Sequence, residues 1–299
     1  MKNLRYISLF IMLLTGSVWC YAQQNADFVA AYNCVKKGSI DSARIYIDKA
    51  SKDSITRKDP QYWYVRGFVY KELYKKYEAA TKKSVYRDTA ANDLLKSVKI
   101  DSTADNKQSN YTTLKYISGT YYNDATDLMD SLHYVTAKSY YAKAMYLKKL
   151  SDPTANLTQL EIQFNLKLGE VYSYLFFHAN NAKIKSHYLD SSKGAYNAVL
   201  AINPNEVSAN YNLAILYYNQ AVYIINETSY DDDISKLNAA QDTSVHLAMQ
   251  SLPFMQKTYQ LDPQKKDAVK GLEGIYYLLH DTQKFQEYED KLKALEGGK

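Results

Sequence analysis

The amino-acid sequence predicts an all-α chain built of helix pairs, and three observations carry that expectation. Glycine and proline are scarce for 299 residues, at 10 and 5, so few positions break a helix, while Lys, Leu, Ala and Tyr are plentiful. A small residue followed three positions later by tyrosine recurs along the chain. Asn203-Pro204 and Asp262-Pro263 close apolar runs, where a residue without an N–H stops one helix and lets the next begin.

The sharpest copies of the repeat are WYVRGFVY, with Trp63, Gly67 and Tyr70, KLGEVY, with Leu168, Gly169 and Tyr172, and NYNLAILY, with Leu213, Ala214 and Tyr217. ISGTYY keeps Gly119 and Tyr122, and GLEGIYY keeps Leu272 and Tyr276 with Glu273 in the small position. A second pattern, alanine and large apolar residues at helical spacing, alternates with the first: Ala43, Ile47 and Ala50, then Ala137, Tyr141 and Ala144, then AYNAVLAINP and LPFMQKTYQLDP. A small residue on the first helix lets the second pack close across it, and large residues fill the grooves between successive pairs. One pair cannot bury its apolar face alone, whereas a stack can.

These stretches resemble the tetratricopeptide repeat (TPR), aromatic-x2-Leu-Gly-x2-Tyr, with Arg66 standing where leucine is expected. The resemblance spans nearly all of residues 23–299 and implies a right-handed α-solenoid of about six TPR-like antiparallel helix pairs. The small positions Ala31, Gly67, Gly119, Gly169, Ala214 and Glu273 lie mostly farther apart than the ~34 residues of a standard unit, so several pairs are lengthened. The largest excess falls at 226–244, a polar break after a long helix starting near Glu206, and the stretch Gln283 to Glu296 is expected to cap the stack. The layout of leader, degenerate first units, NLAILYYNQA, LPFMQKTYQLDP and GLEGIYYLL looks like exported TPR proteins of the Bacteroidota.

Residues 1–22 read as a cleaved secretory signal: Lys2 and Arg5 precede an apolar run from Ile7 to Leu14, and small residues at Cys20 and Ala22 set a cut before Gln23. The run is too short for a permanent span, and Trp19 rather than a small residue precedes Cys20, which argues against a lipoprotein. The expected address is therefore outside the inner membrane: periplasmic, outer-membrane associated or secreted. Cleavage removes two positive charges from a net +5, leaving scattered lysines and no basic face for nucleic acid. Cys34 then stands alone, so no internal disulfide can form, and its place among Phe28, Ala31 and Val35 predicts a buried, inert thiol.

The sequence shows none of the handles of an enzyme. The five histidines (133, 178, 187, 246, 280) have no metal-ligand spacing, there is no Cys-x2-Cys, no phosphate-binding glycine loop and no nucleophile elbow. Asp231, Asp232 and Asp233 lack the glycine and closing glutamate of a calcium loop and read as a solvated cap before Ile234. A noncatalytic chain without cofactor or metal is expected. The resemblance implies partner binding on the concave face of the first helices, where the repeat register places Tyr64, Phe68, Tyr116, Asn123, Glu170, Tyr211, Tyr218, Asn219 and Tyr277. Rigid aromatics beside adaptable amides suit a peptide or helix of another cell-envelope protein. The competing readings are that long helices cover several of these tyrosines, that the surface binds glycans, or that the chain assembles with itself.

Five stretches also look like the Asp-Ser/Thr-apolar acceptor for O-glycosylation in that bacterial group, at Ser42, Ser54, Thr89, Ser102 and Ser131. Helix capping explains Asp and Ser/Thr at the same places. The intact mass of the native protein is expected to exceed that of the unmodified mature chain, and a mass equal to it would end the glycosylation reading.

Overall fold

The computed structural model describes residues 25–101, 106–229 and 233–297. The expected signal segment 1–22, Ser102 and residues 230–232 lie outside the described residues. Within them the chain is all-α: twelve helices pack as six successive TPR-like pairs, and no strand occurs among the described residues. They are α1 Ala26–Lys36, α2 Ile40–Ala50, α3 Pro60–Leu73, α4 Val85–Ile100, α5 Lys107–Asp127, α6 Tyr134–Ser151, α7 Thr158–His178, α8 Ala182–Ile202, α9 Val207–Asn226, α10 Ile234–Leu261, α11 Lys266–Leu278 and α12 Thr282–Gly297.

Local chemistry sets the ends of these helices. Pro60 opens α3 while the Asp59 carboxylate accepts from the Gln61 N–H at 2.8 Å, and Asp233 accepts from the Lys236 N–H at 2.8 Å to start α10. Asn203 and Asp262 cap the C-termini of α8 and α10, each followed by the proline that the sequence singles out. The excess at 226–244 is not a loop but a longer second helix. After a short break, α10 runs for 28 residues against 20 in α9, with Pro253 inside it.

The chain divides into two compact units. The first holds residues up to 127 and 136–155, the second 128–135 and from 156 onward. In the first unit, an added Cβ on Gly67 of α3 would lie 2.7 Å from Leu94 of α4, so the pair closes only because that position is bare. The Ser97 hydroxyl donates to the Pro60 carbonyl at 2.7 Å and accepts from the Asn110 amide at 3.0 Å, joining α3, α4 and α5 around one buried group.

The second unit repeats the arrangement. Gly169 of α7 faces the Tyr196 ring of α8, which is 1% exposed, and an added Cβ would approach it to 2.5 Å. The Ser192 hydroxyl donates to the Gly169 carbonyl at 3.0 Å, and in the next pair the Ser251 hydroxyl donates to the Ala214 carbonyl at 2.7 Å. Pairs then join through apolar clusters. Phe176, Tyr196, Leu213 and Leu216 link α7 and α8 to α9, while Met255, Leu272, Ile275 and Tyr288 link α10 to α11 and α12.

In the third pair the expected register slips by one residue. Gly119 is exposed, with nothing within 4 Å of an added Cβ, whereas Ser118 is buried and donates its hydroxyl to the Ala144 carbonyl at 2.9 Å. Tyr121 rather than Tyr122 is then the fully buried tyrosine of the repeat. Ala144 thereby supplies the small residue facing Ser118 of the partner helix. Cys34 is also half-buried rather than buried.

Gly169→Ala is expected to destabilise the fold by about 1–3 kcal/mol, because the Tyr196 ring is locked in its cluster and the overpacked pair must spread. Gly119→Ala, in open space on an exposed helix face, is expected to stabilise by roughly 0.5–1 kcal/mol. Urea denaturation of both variants measures the two signs.

Candidate functional site

In the first unit the expected surface begins with a correction. Tyr64 is 2% exposed, with Tyr32 of α1 and Ser109 of α5 beside it, and burial pushes its phenol well above the usual value. Neighbouring first helices cover it from both sides, so it presents no surface to a partner. Phe68 is half-buried with the Lys71 ammonium 4.1 Å from its ring centre. Burial lowers the Lys71 pKa against the opposing pull of its Glu72 partner. Tyr116 is 43% exposed and Asn123 exposed. The one-residue slip turns both about 100° around α5 from the positions expected of them, which Lys115 and Tyr122 occupy.

Two charged clamps of this unit stand outside the expected set. Arg66 bridges helices: it pairs with Asp93 of α4 and lies 3.2 Å from Asp48 of α2, whose carboxylate also accepts from the Tyr70 hydroxyl at 2.9 Å. Arg66 therefore departs from the TPR leucine because it lies between two carboxylates. Arg87, 1% exposed, pairs with Asp124 of α5, donates to the Lys82 carbonyl at 2.8 Å and lies 4.1 Å from the Tyr121 ring centre. The sequence signal for both was a charge on an apolar stripe, as in Arg87, Ala90, Ala91 and Leu94.

The second unit gathers more of the expected residues. Tyr211 and Tyr218 lie two turns apart on one face of α9, both half-buried against the core that α9 shares with α11. The Tyr218 hydroxyl lies against Gly274 of α11, and Tyr277 stands one turn beyond Gly274 on the same face, 67% exposed, with its ring 5.9 Å from that of Phe285. The Lys265 ammonium sits 4.9 Å from the Tyr211 ring centre, and Asn219 is half-buried beside Tyr218. Glu170 stands apart, exposed on α7 and paired with Lys167 at 2.8 Å.

Tyr277 also lines a cavity of about 510 Å³ in the second unit, between the C-terminal ends of α9 and α11 and the overhanging start of α10. Its polar lining includes Gln241 and His280, which nothing in the sequence gives reason to bring together. No cluster of His, Cys, Asp and Glu fit to hold a metal occurs among the described residues, and no described helix is long and apolar enough to cross a membrane.

The acceptor-like sites differ in exposure. Asp53 and Asp130 each accept from the backbone N–H groups two and three residues on, leaving Ser54 exposed and Ser131 partly exposed in turns beside Ile55 and Leu132, which are 74% and 85% exposed. Ser42 is exposed in the first turn of α2, and Thr89 is half-buried inside α4.

No protein-family model matches this chain, and neither does any curated protein. Similar solved structures include PilW, a widely conserved type IV pilus biogenesis factor, at 16% identity, TM-score 0.36, and coverage of 93% of this chain and 96% of that one. Pseudomonas aeruginosa pilF is 14% identical, with TM-score 0.31 and 92% of each chain covered. A monomeric mutant of IFIT1 with Gppp-AAAA is 13% identical, with TM-score 0.30, 97% of this chain and 65% of that one. At TM-scores this low, fold and function rest on the chain's own geometry.

Burial pushes the Asp93 carboxyl up to about 6, with Arg66 and Lys96 pulling the other way. That value lies above the ~3.9 of an unfolded aspartate, so the folded state holds the extra proton and the group's contribution to stability is lost as pH rises from about 4 to about 6. Asp93→Asn is expected to flatten that part of the stability profile, as measured by denaturant midpoints of both proteins from acid to neutral pH.

Proposed function

We propose that this chain is a noncatalytic exported scaffold that holds a peptide or helix of another cell-envelope protein on the outward edges of its first helices. The observation that carries the reading is the aromatic row of the second unit. Tyr211 and Tyr218 are braced by the core while their edges remain accessible, and Tyr277 extends the row on α11 with most of its surface free. Such rings lose little conformational freedom when a partner covers them, so more of the contact energy appears as affinity. Glycan binding is less favoured, because Trp63, the only tryptophan beyond the signal, is half-buried and donates its Nε1–H to the Arg57 carbonyl at 2.8 Å.

Export also makes O-glycosylation pertinent, and Ser54 and Ser131 are the acceptors the geometry favours, since each lies in a short turn rather than in a helix. Replacing both by alanine would then remove the added mass.

Crosslinking the tagged protein in its own cells tests the scaffold reading. Tyr211→Ala combined with Asn219→Ala is expected to reduce recovery of one specific envelope protein about tenfold, the effect of losing one or two contact residues. Unchanged recovery would discard this face, and a mass that grows with concentration in light scattering would favour self-assembly instead.

A further inference from the structure

A mostly apolar cavity lies at the end of the second unit. Its lining, from Ile225 and Leu237 through Ala240 and Val245 to Tyr277 and Leu278, is apolar, with Asn226, Thr228, Gln241, Ser244 and His280 as its polar members. Among the described residues, none that lines it is Asp, Glu, Lys or Arg, in a chain where 23% of residues are charged. At about 510 Å³ it falls within the range of sites that bury a small ligand or a side-chain anchor. Ser244, 1% exposed, lies in its wall with a hydroxyl that has no partner.

A second observation bears on the same place. Helix α11 closes with the His280 N–H donating to the Tyr277 carbonyl and the Asp281 N–H to the Tyr276 carbonyl, both at 3.1 Å, which requires a left-handed residue at 280. Helix α1 closes in the same way, and there Gly38 takes the position with φ 72°. His280 takes it with φ 57°, a conformation that costs a side-chain-bearing residue energy. The imidazole is thereby turned to the cavity, with its Nε2 3.1 Å from the Gln241 side-chain nitrogen. Strain of this kind persists only where the surrounding structure holds it, and it gathers at binding and active sites.

We propose that this cavity is the anchor site for the partner peptide: it seats one bulky, uncharged apolar side chain, while Gln241, Asn226 and His280 at the rim bond the flanking peptide groups. The inference rests on the scaffold reading and adds to it the chemistry of the segment recognised. The described lining, neutral throughout, matches an uncharged anchor, since a buried Lys or Glu would find no counter-charge among those residues. Amide and imidazole groups both donate and accept, which is what a peptide N–H and C=O require.

The experiment titrates the full chain with four blocked pentapeptides, acetyl-Gly-Gly-X-Gly-Gly-amide with X as Leu, Phe, Lys or Glu, and follows binding by saturation-transfer difference NMR. The Leu and Phe peptides are expected to bind at least about tenfold more tightly than the Lys and Glu peptides. Ala240→Trp, which fills the cavity from a half-exposed position, is expected to abolish that binding. His280→Gly is expected to raise the thermal midpoint, by relieving the left-handed histidine, and yet weaken the Leu peptide. Equal binding of all four peptides, no binding of any, unchanged binding to Ala240→Trp, or a lower midpoint with unchanged binding in His280→Gly would each overturn the proposal. If peptides bind as expected while Tyr211→Ala with Asn219→Ala leaves the cellular partner in place, the cavity stands and the aromatic row falls.

Discussion

The close approach of two helices at a small residue is the constraint on which this structure depends. At Gly67, Ser118, Gly169 and Ala214 one helix of a pair presents almost no side chain, and the partner's leucine, tyrosine or backbone fills the space. Three of these contacts carry a serine hydroxyl donating to a carbonyl on the opposing helix. Such a bond forms only at short interaxial distance, and the donor would be costly to bury without it. Spacing and polar satisfaction are thus one requirement, and the apolar clusters between pairs follow from it.

The two units meet that requirement with different chemistry around it. The first places Arg66 and Arg87 between helices, where aspartates, carbonyls and tyrosine rings take up their charge. Buried ion pairs contribute little net stability, because desolvation offsets their attraction, but a shifted helix would strand a charge. The clamps therefore favour one register over its neighbours. The second unit relies on ring packing, with Tyr172, Tyr188 and Tyr134 in mutual contact and Tyr276 stacked on Tyr288. The abundance of tyrosine follows from this use, since the ring fills interhelical grooves while the hydroxyl reaches polar atoms or water at the edge.

Exposure along the first helices follows from the same geometry. A residue three positions before the small residue faces neighbouring first helices, and whether it is reachable depends on how closely those helices approach. Tyr64 is sealed there, whereas Tyr211, in the equivalent position, keeps part of its ring accessible. The long α10 adds a wall beyond the ends of α9 and α11 and so creates a cavity that a standard-length pair would not enclose.

The sequence by itself determined the helical class, the number of pairs and most helix ends, because these depend on local chemistry: helical spacing, Asn-Pro and Asp-Pro stops, and capping aspartates. It also located the start of a helix near Glu206 and the terminal helix, although the unusual length belongs to the next helix, α10, rather than to α9. Register was legible where a single small residue stood in the pattern, at Gly67, Gly169 and Ala214. It was ambiguous in Ile117-Ser118-Gly119-Thr120-Tyr121-Tyr122, where adjacent small residues and adjacent tyrosines satisfy two registers equally. Only the contact of Ser118 with Ala144 decides between them. The tertiary structure alone likewise decided that Tyr64 is core, that Arg66 and Arg87 meet aspartates far away in sequence, and that Gln241 and His280 share a cavity. Each of these depends on which surfaces other helices cover, and burial is a property of the packed neighbours rather than of the residue's own stretch of chain.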